Sequence, residues 1–113
     1  DKYYQGENYA DAAFQYQRAV EYYPNYAQSW SNLGLTFIKL EKYSEAIWAN
    51  KEAVRRANGS RAHIVKASSY YNIAKIYERQ ERWESALNYY QRALEQREHS
   101  AYHKGIKRMK DKL

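Results

Sequence analysis

Hydrophobic positions recur every three or four residues in five successive segments, which is the spacing of one face of an α-helix. In the first segment these positions are Tyr9, Ala12, Ala13, Tyr16, Ala19, Val20 and Tyr23. The same spacing predicts further helices over about 26–40, 44–57, 61–80 and 83–97. One Pro and four Gly in the whole chain also favour long helices, so the pattern predicts an all-α protein.

Turn-forming residues mark the boundaries of the first helix. Residues 1–5 are typical of the end of a helix, Gly6 is expected to break it, and Asn8 can cap the next one. Pro24 ends the helix that follows, because it has no N–H and disfavours a helical residue before it.

Boundaries in the second half of the chain are less sharp. Asn58-Gly59 is a strong helix stop, and Ser60 is expected to cap the helix that follows. The segment 99–113 is either a separate helix capped by Ser100 or a continuation of the helix before it, and the sequence leaves both alternatives open.

The landmarks of the segment 27–57 recur twice. Ten positions align with the downstream copy when the sequence is shifted by 40 residues. They are Ala27, Trp30, Asn32, Leu33, Gly34, Phe37, Glu41, Tyr43, Ala46 and Ala53, which align in this order with Ala67, Tyr70, Asn72, Ile73, Ala74, Tyr77, Glu81, Trp83, Ala86 and Ala93. Aligned with the upstream copy, Tyr43, Ala46, Ala53 and Val54 fall on Tyr9, Ala12, Ala19 and Val20. Small residues recur where helices must cross closely, so this is a repeat array with a packing code. Gly34, in the middle of a predicted helix, is expected to let a neighbouring helix approach.

These residues resemble the tetratricopeptide repeat, whose pattern is W-x2-L-G-x2-Y followed by A-x3-F and P. Trp30-x2-Leu33-Gly34-x2-Phe37 matches it well, and Tyr70-x2-Ile73-Ala74-x2-Tyr77 with Ala86-x3-Tyr90 matches it more loosely. The resemblance implies a right-handed superhelix of antiparallel helix pairs, with about two and a half repeats plus a C-terminal helix.

The predicted single domain, 1–113, divides accordingly. We expect a partial repeat over 1–24, a repeat over 27–60, a repeat with an extended first helix over 61–98, and a basic C-terminal helix or tail over 99–113. Because at least about three repeats are usually needed for stability, the sequence predicts a piece of a longer array. Asp1 in place of an initiator Met agrees with a processed product or a fragment.

Composition narrows the chemistry. The absence of cysteine excludes disulfides and thiol catalysis, and no apolar run approaches the roughly 20 residues of a membrane span. Without a signal or membrane segment in this chain, a cytoplasmic location is slightly favoured. No nucleophile–base pair or phosphate loop is present, so we predict neither an enzyme nor a cofactor.

The resemblance also implies a binding surface. In the family's fold the first helix of each pair lines a concave groove that holds a peptide or protein partner. The alignment places nine residues there: Gln28, Ser31, Asn32, Leu35, Lys39, Tyr71, Asn72, Lys75 and Arg79. Asn32 and Asn72 occupy equivalent positions, where amides can hold an extended peptide backbone. Lys75 and Arg79, one turn apart, can receive a carboxylate.

Two other functions are weighed against a partner-binding scaffold. Self-assembly by stacking of repeats would use an exposed face of the first helix, namely Tyr9, Ala13, Tyr16 and Val20. Nucleic-acid binding would use the net charge of +6, much of it in the tail. We expect nucleic acid to be the wrong partner, because most of the tyrosines and tryptophans occupy packing positions of the repeat.

Three narrower sites are disfavoured. The two-carboxylate clamp of the chaperone-binding members needs a lysine where Ser68 stands. His99 and His103 are one helical turn apart but lack a third metal ligand, so no metal site is expected. Asn58-Gly59-Ser60 matches a glycosylation acceptor, yet its role as a helix stop explains it.

Overall fold

Six helices make up the protein in the computed structural model, which describes the backbone of residues 2–113 and the side chains of residues 8–113. They are α1 (Lys2–Tyr22), α2 (Ala27–Lys39), α3 (Tyr43–Arg56), α4 (Ala62–Arg79), α5 (Trp83–Gln96) and α6 (Ser100–Lys112). The residues 2–113 contain no strand, and the predicted all-α solenoid of helix pairs is confirmed.

Neighbouring helices pack as the repeat requires. The pairs α2–α3 and α4–α5 form the most extensive contacts, and α3 also packs on α4, while α5 also packs on α6. The helices α2 and α4 touch one another directly. The helix α6 contacts α4 through Arg108 and Glu78 and through Tyr102 and Tyr71, so α2, α4 and α6 follow one another along one side of the molecule. We call these three the inner helices. The division of the chain into repeats at residues 24, 60 and 98 stays a prediction.

Two identical turns join the helices of each pair. Glu41 and Glu81, which hold equivalent positions in the two copies, both adopt a left-handed backbone with φ of 60° and 59°. The Lys42 N–H donates to the Phe37 carbonyl oxygen, and the Arg82 N–H donates to that of Tyr77, each over 2.9 Å. The two turns satisfy the last carbonyls of α2 and α4 in the same way.

Small residues let the helices cross closely, as the sequence predicted at Gly34. A Cβ atom added to Gly34 would lie 2.6 Å from Asn50 Cγ on α3. A Cβ atom added to Gly105 on α6 would lie 2.6 Å from the Tyr90 ring on α5. Both glycines are therefore required by the space between two helices.

Three sequence predictions about helix ends are wrong. The helix α1 continues through Gly6 and Asn8, because one mid-helix glycine costs only about 1 kcal/mol and does not by itself end a helix. Ser60 does not cap α4, which begins at Ala62 without a side-chain cap. His99, in place of Ser100, caps α6, and its Nδ1 accepts a hydrogen bond of 3.0 Å from the Ala101 N–H. The C-terminal segment is thus a separate helix.

Candidate partner-binding groove

The inner helices carry the residues that the sequence assigned to the groove. Gln28, Leu35 and Lys39 are exposed on α2, and Leu35 is unusual among them as an apolar side chain with 39% exposure. Asn32 is half-buried and its Oδ1 accepts a hydrogen bond of 3.0 Å from Gln28 Nε2.

On α4, Lys75 Nζ lies 4.8 Å from the centroid of the Tyr71 ring, and Arg79 is exposed one turn further along. Successive cations on α4 therefore reach the same side as Lys39 on α2.

Two of the nine assigned residues lie inside the molecule. Ser31 is 3% exposed, and its Oγ accepts a hydrogen bond of 3.2 Å from Ser69 Oγ on α4. Asn72 is 4% exposed, and its Nδ2 donates to Asn50 Oδ1 on α3 over 3.0 Å. Both groups are satisfied across helix interfaces, so the predicted surface ladder of Asn32 and Asn72 is not formed.

A pocket of about 580 Å³ opens at the end of the inner helices. Its apolar lining includes Ile38, Tyr43, Ile76 and Trp83, and its charged lining consists of Lys39, Lys75, Glu78, Arg79, Arg108 and Lys112. We call this the basic pocket, because five cationic side chains face one carboxylate. Its walls come from α2, α4 and α6, together with the first residue of α3 and with Trp83 and Tyr90 of α5.

The sequence analysis does not assign Arg108 and Lys112 to the groove, because it predicts only a basic helix or tail over 99–113. The sequence does contain a signal for these two cations. When α6 is aligned with α4, Arg108 aligns with Lys75 and Lys112 aligns with Arg79. The helix α6 thus continues the series of cations that begins on α2 and α4.

One contact network fastens α6 to the rest of the groove. Arg108 donates to both oxygens of the Glu78 carboxylate, each over 3.0 Å, and the Tyr90 hydroxyl donates to Glu78 Oε1 over 2.5 Å. The Arg108 guanidinium, and then Tyr90, hold the pKa of Glu78 below its ordinary value, although partial burial opposes this shift. Burial, followed by the Glu78 contact, raises the pKa of Tyr90. The network holds Glu78 ionised and Tyr90 neutral.

We expect Glu78→Gln to lower the free energy of unfolding by about 1 kcal/mol at neutral pH, a modest value because Arg108 is half exposed. The pKa of Glu78 is lowered in the folded state, so its contribution is complete above the unfolded value of about 4.5 and disappears as pH falls through the lowered folded value. Urea unfolding of both proteins across acidic and neutral pH measures this. The difference should close in acid, and a difference that stays constant at low pH would contradict the assignment.

Lys75 is less exposed than the other four cations of the pocket. Burial, and then the nearby charge of Lys39, lower the pKa of Lys75. Among residues 8–113, no carboxylate forms an ion pair with the amino groups of Lys39, Lys75 or Lys112. The charge of Lys112 helps to lower the pKa of Glu78, whereas those of Lys39 and Lys75 are left unpaired by the described part of the chain.

The face of α1 assigned to self-association is largely occupied by the protein itself. Ala13 and Val20 are each 6% exposed and belong to a core cluster with Trp30, Leu33 and Phe37. Tyr9 and Tyr16 are half-buried. The prediction of an exposed face was wrong for Ala13 and Val20, because these side chains meet α2.

Other site types find little support within the described residues. No cluster of three or more metal-binding side chains occurs in that part of the chain. None of the described helices is long and apolar enough to cross a membrane. The imidazole of His99 is used as a helix cap, and His103 Nε2 lies 2.5 Å from Glu98 Oε1.

Comparison with known proteins gave two family matches. A family model described as "Tetratricopeptide repeat" matches residues 27–99, and one described as "TPR repeat" matches residues 1–41. No curated protein matched the chain.

Proposed function

Since this chain belongs to the tetratricopeptide repeat family, we propose that it is a non-catalytic scaffold that binds a peptide or protein partner in the groove of its inner helices. Repeats of this family generally mediate protein–protein interaction, and the family is generally non-catalytic. The groove and its contact residues are our own assignment.

The basic pocket is the observation that carries this proposal. It combines apolar walls with a few converging charged groups, which is the usual make-up of a recognition site. The side chains that line it project from helices, whose backbone is already ordered. A partner would thus meet a prebuilt surface, and little conformational entropy would be lost on the scaffold's side.

Exposed side chains extend the proposed contact surface along α2. Leu35 offers an apolar contact, and Gln28 and Asn32 offer hydrogen-bonding groups that are half-satisfied by one another. Together with Lys39, Tyr71, Lys75 and Arg79, these residues form the proposed partner-binding set. Ser31 and Asn72 act in it indirectly, because they hold α2, α3 and α4 together.

Peptides selected from a displayed random library against the folded chain test the groove. We expect Leu35→Glu to weaken binding of the selected peptides by about tenfold or more, because a charged side chain would replace an apolar contact, and tenfold corresponds to about 1.4 kcal/mol. The matched control is Gln91→Glu, which adds the same charge on the outer helix α5, where residue 91 is exposed.

Biolayer interferometry with synthetic copies of the selected peptides measures the affinities. Equal binding to the wild type and Leu35→Glu, or equal losses in both variants, would show that the groove assignment is wrong. Circular dichroism of each variant checks that the helices remain intact.

A further inference from the structure

Cations recur at one end of all three inner helices. Lys39 ends α2, and the alignment of the two repeats places Arg79 at the same position of α4. In the alignment of α4 with α6, Lys112 at the end of α6 holds the position of Arg79. Lys75 and Arg108 stand one turn earlier on α4 and α6. The basic pocket is therefore a periodic feature of the repeat and its C-terminal helix.

Only part of this charge is compensated by the described residues. Glu78 pairs with Arg108 in the network above. Glu41 Oε1 lies 3.5 Å from Arg79 Nη2, but the Glu41 side chain is 69% exposed and that of Arg79 is 64% exposed. Such an exposed pair exchanges readily with solvent and contributes little energy. Among residues 8–113, Lys39, Lys75 and Lys112 form no ion pair with a carboxylate, although the charge of Lys112 helps to lower the pKa of Glu78. The side chain of Lys75 is also half-buried.

Aromatic rings hold these cations in place. Lys75 Nζ lies 4.8 Å from the Tyr71 ring centroid, and Lys112 Nζ lies 5.2 Å from that of Trp83. The guanidinium carbon of Arg79 lies 5.8 Å from the Tyr43 ring centroid. Each cation–π contact restrains a flexible side chain before a ligand arrives, which reduces the entropy lost on binding.

We propose that the basic pocket binds an acidic segment of a protein partner, with Asp or Glu carboxylates at Lys39, Lys75 and Lys112. An apolar side chain of the same segment would lie against Ile38, Ile76 and Tyr43. This inference rests on the proposed function of the groove and specifies the chemistry of its ligand. A carboxylate at Lys75 supplies the opposite charge that burial and Lys39 make favourable there.

The same geometry argues against nucleic acid as the ligand. Binding of a single strand uses aromatic faces on which bases stack, together with cations that follow the backbone. Here a cation of the protein itself lies over one face of each of the rings of Tyr71, Trp83 and Tyr43. The cations also converge on one pocket.

Isothermal titration calorimetry with defined probes tests the inference. The probes are a short peptide in which Glu and Leu alternate, the same peptide with Gln for Glu, and a single-stranded oligonucleotide of the same net charge. We expect the Glu peptide to bind at least about tenfold more tightly than the Gln peptide, and we expect its affinity to fall as salt is added. Equal affinity for the two peptides, or tighter binding of the oligonucleotide, would overturn the proposal.

Two charge reversals and one matched control locate the binding. Lys75→Glu and Lys39→Glu should each lower the affinity for the Glu peptide by at least about tenfold, because each removes a cation and adds a repelling charge. Lys51→Glu makes the same charge change on the outer helix α3, where residue 51 is exposed, and should alter the affinity by less than about twofold. An equal loss in all three variants would indicate attraction by net charge alone and would overturn the proposal.

The two proposals fail in distinguishable ways. If binding of the library-selected peptides is weakened by Leu35→Glu but not by Lys75→Glu, the groove is correct and its acidic specificity is wrong. If binding of no peptide is weakened by Leu35→Glu, the groove itself is wrong. Because Lys75 and Lys39 already repel one another, replacing either by Glu also creates a favourable pair, so both variants are expected to fold.

Discussion

Replacing Tyr90 by alanine is expected to lower the free energy of unfolding by about 4 kcal/mol, which is a large part of the roughly 5–15 kcal/mol that stabilises a typical domain. Tyr90 is fully buried, and its ring fills the space between α5 and the backbone of α6 at Gly105. Truncation leaves a cavity that neither helix can close, and it removes the hydroxyl that donates to Glu78.

Tyr90→Phe is the matched control for this prediction. It keeps the ring and removes the hydroxyl, while Glu78 still accepts two hydrogen bonds from Arg108. We expect a loss of about 1 kcal/mol for this variant. Chemical unfolding followed by circular dichroism measures both values. A cost for Tyr90→Ala no greater than that for Tyr90→Phe would show that the ring does not hold α6 in place.

The second large effect is expected at Gly34. Alanine normally stabilises a helix interior by about 1 kcal/mol relative to glycine. At this position its Cβ atom would meet the buried Asn50 side chain, which cannot withdraw without losing its hydrogen bonds to the Ala46 carbonyl and to Asn72. We therefore expect Gly34→Ala to lower the free energy of unfolding by about 2 kcal/mol.

The sign of this effect should depend on Asn50. In a protein that already carries Asn50→Ala, the space next to residue 34 is open, so Gly34→Ala should be neutral or stabilising by up to about 1 kcal/mol. Unfolding of the wild type, the two single variants and the double variant gives the coupling between the two positions. The same cost in both backgrounds would mean that crowding by Asn50 is not the cause.

The sequence predicts the buried faces of the helices better than it predicts where the helices end. The three-and-four spacing of residues such as Leu33, Phe37 and Ala46 reports which side of a helix is covered, and all three lie in the core. The predicted helix break at Gly6 is wrong because glycine destabilises a helix by an amount that neighbouring residues can outweigh. A local signal of that size does not decide where a helix ends.

The groove was harder to predict than the fold. Asn32 and Asn72 hold equivalent places in the repeat, yet only Asn72 has an amide, Asn50, opposite it across the α3–α4 interface. Which polar residues stay at the surface thus depends on partners that are distant in the chain. The two cations of α6 were overlooked for a related reason: a run of charge resembles a solvated tail until the helix is placed beside Glu78 and Trp83.

The placement of Trp83 also gives this protein a built-in optical reporter. Trp30 and Trp48 contact one another edge to face in the N-terminal half, with ring centroids 5.2 Å apart, whereas Trp83 lines the basic pocket beneath Lys112. Indole emission changes with neighbouring charge and water. With Trp30 and Trp48 replaced by phenylalanine, the remaining fluorescence would come from the groove itself, so its occupancy could be followed in solution without any label.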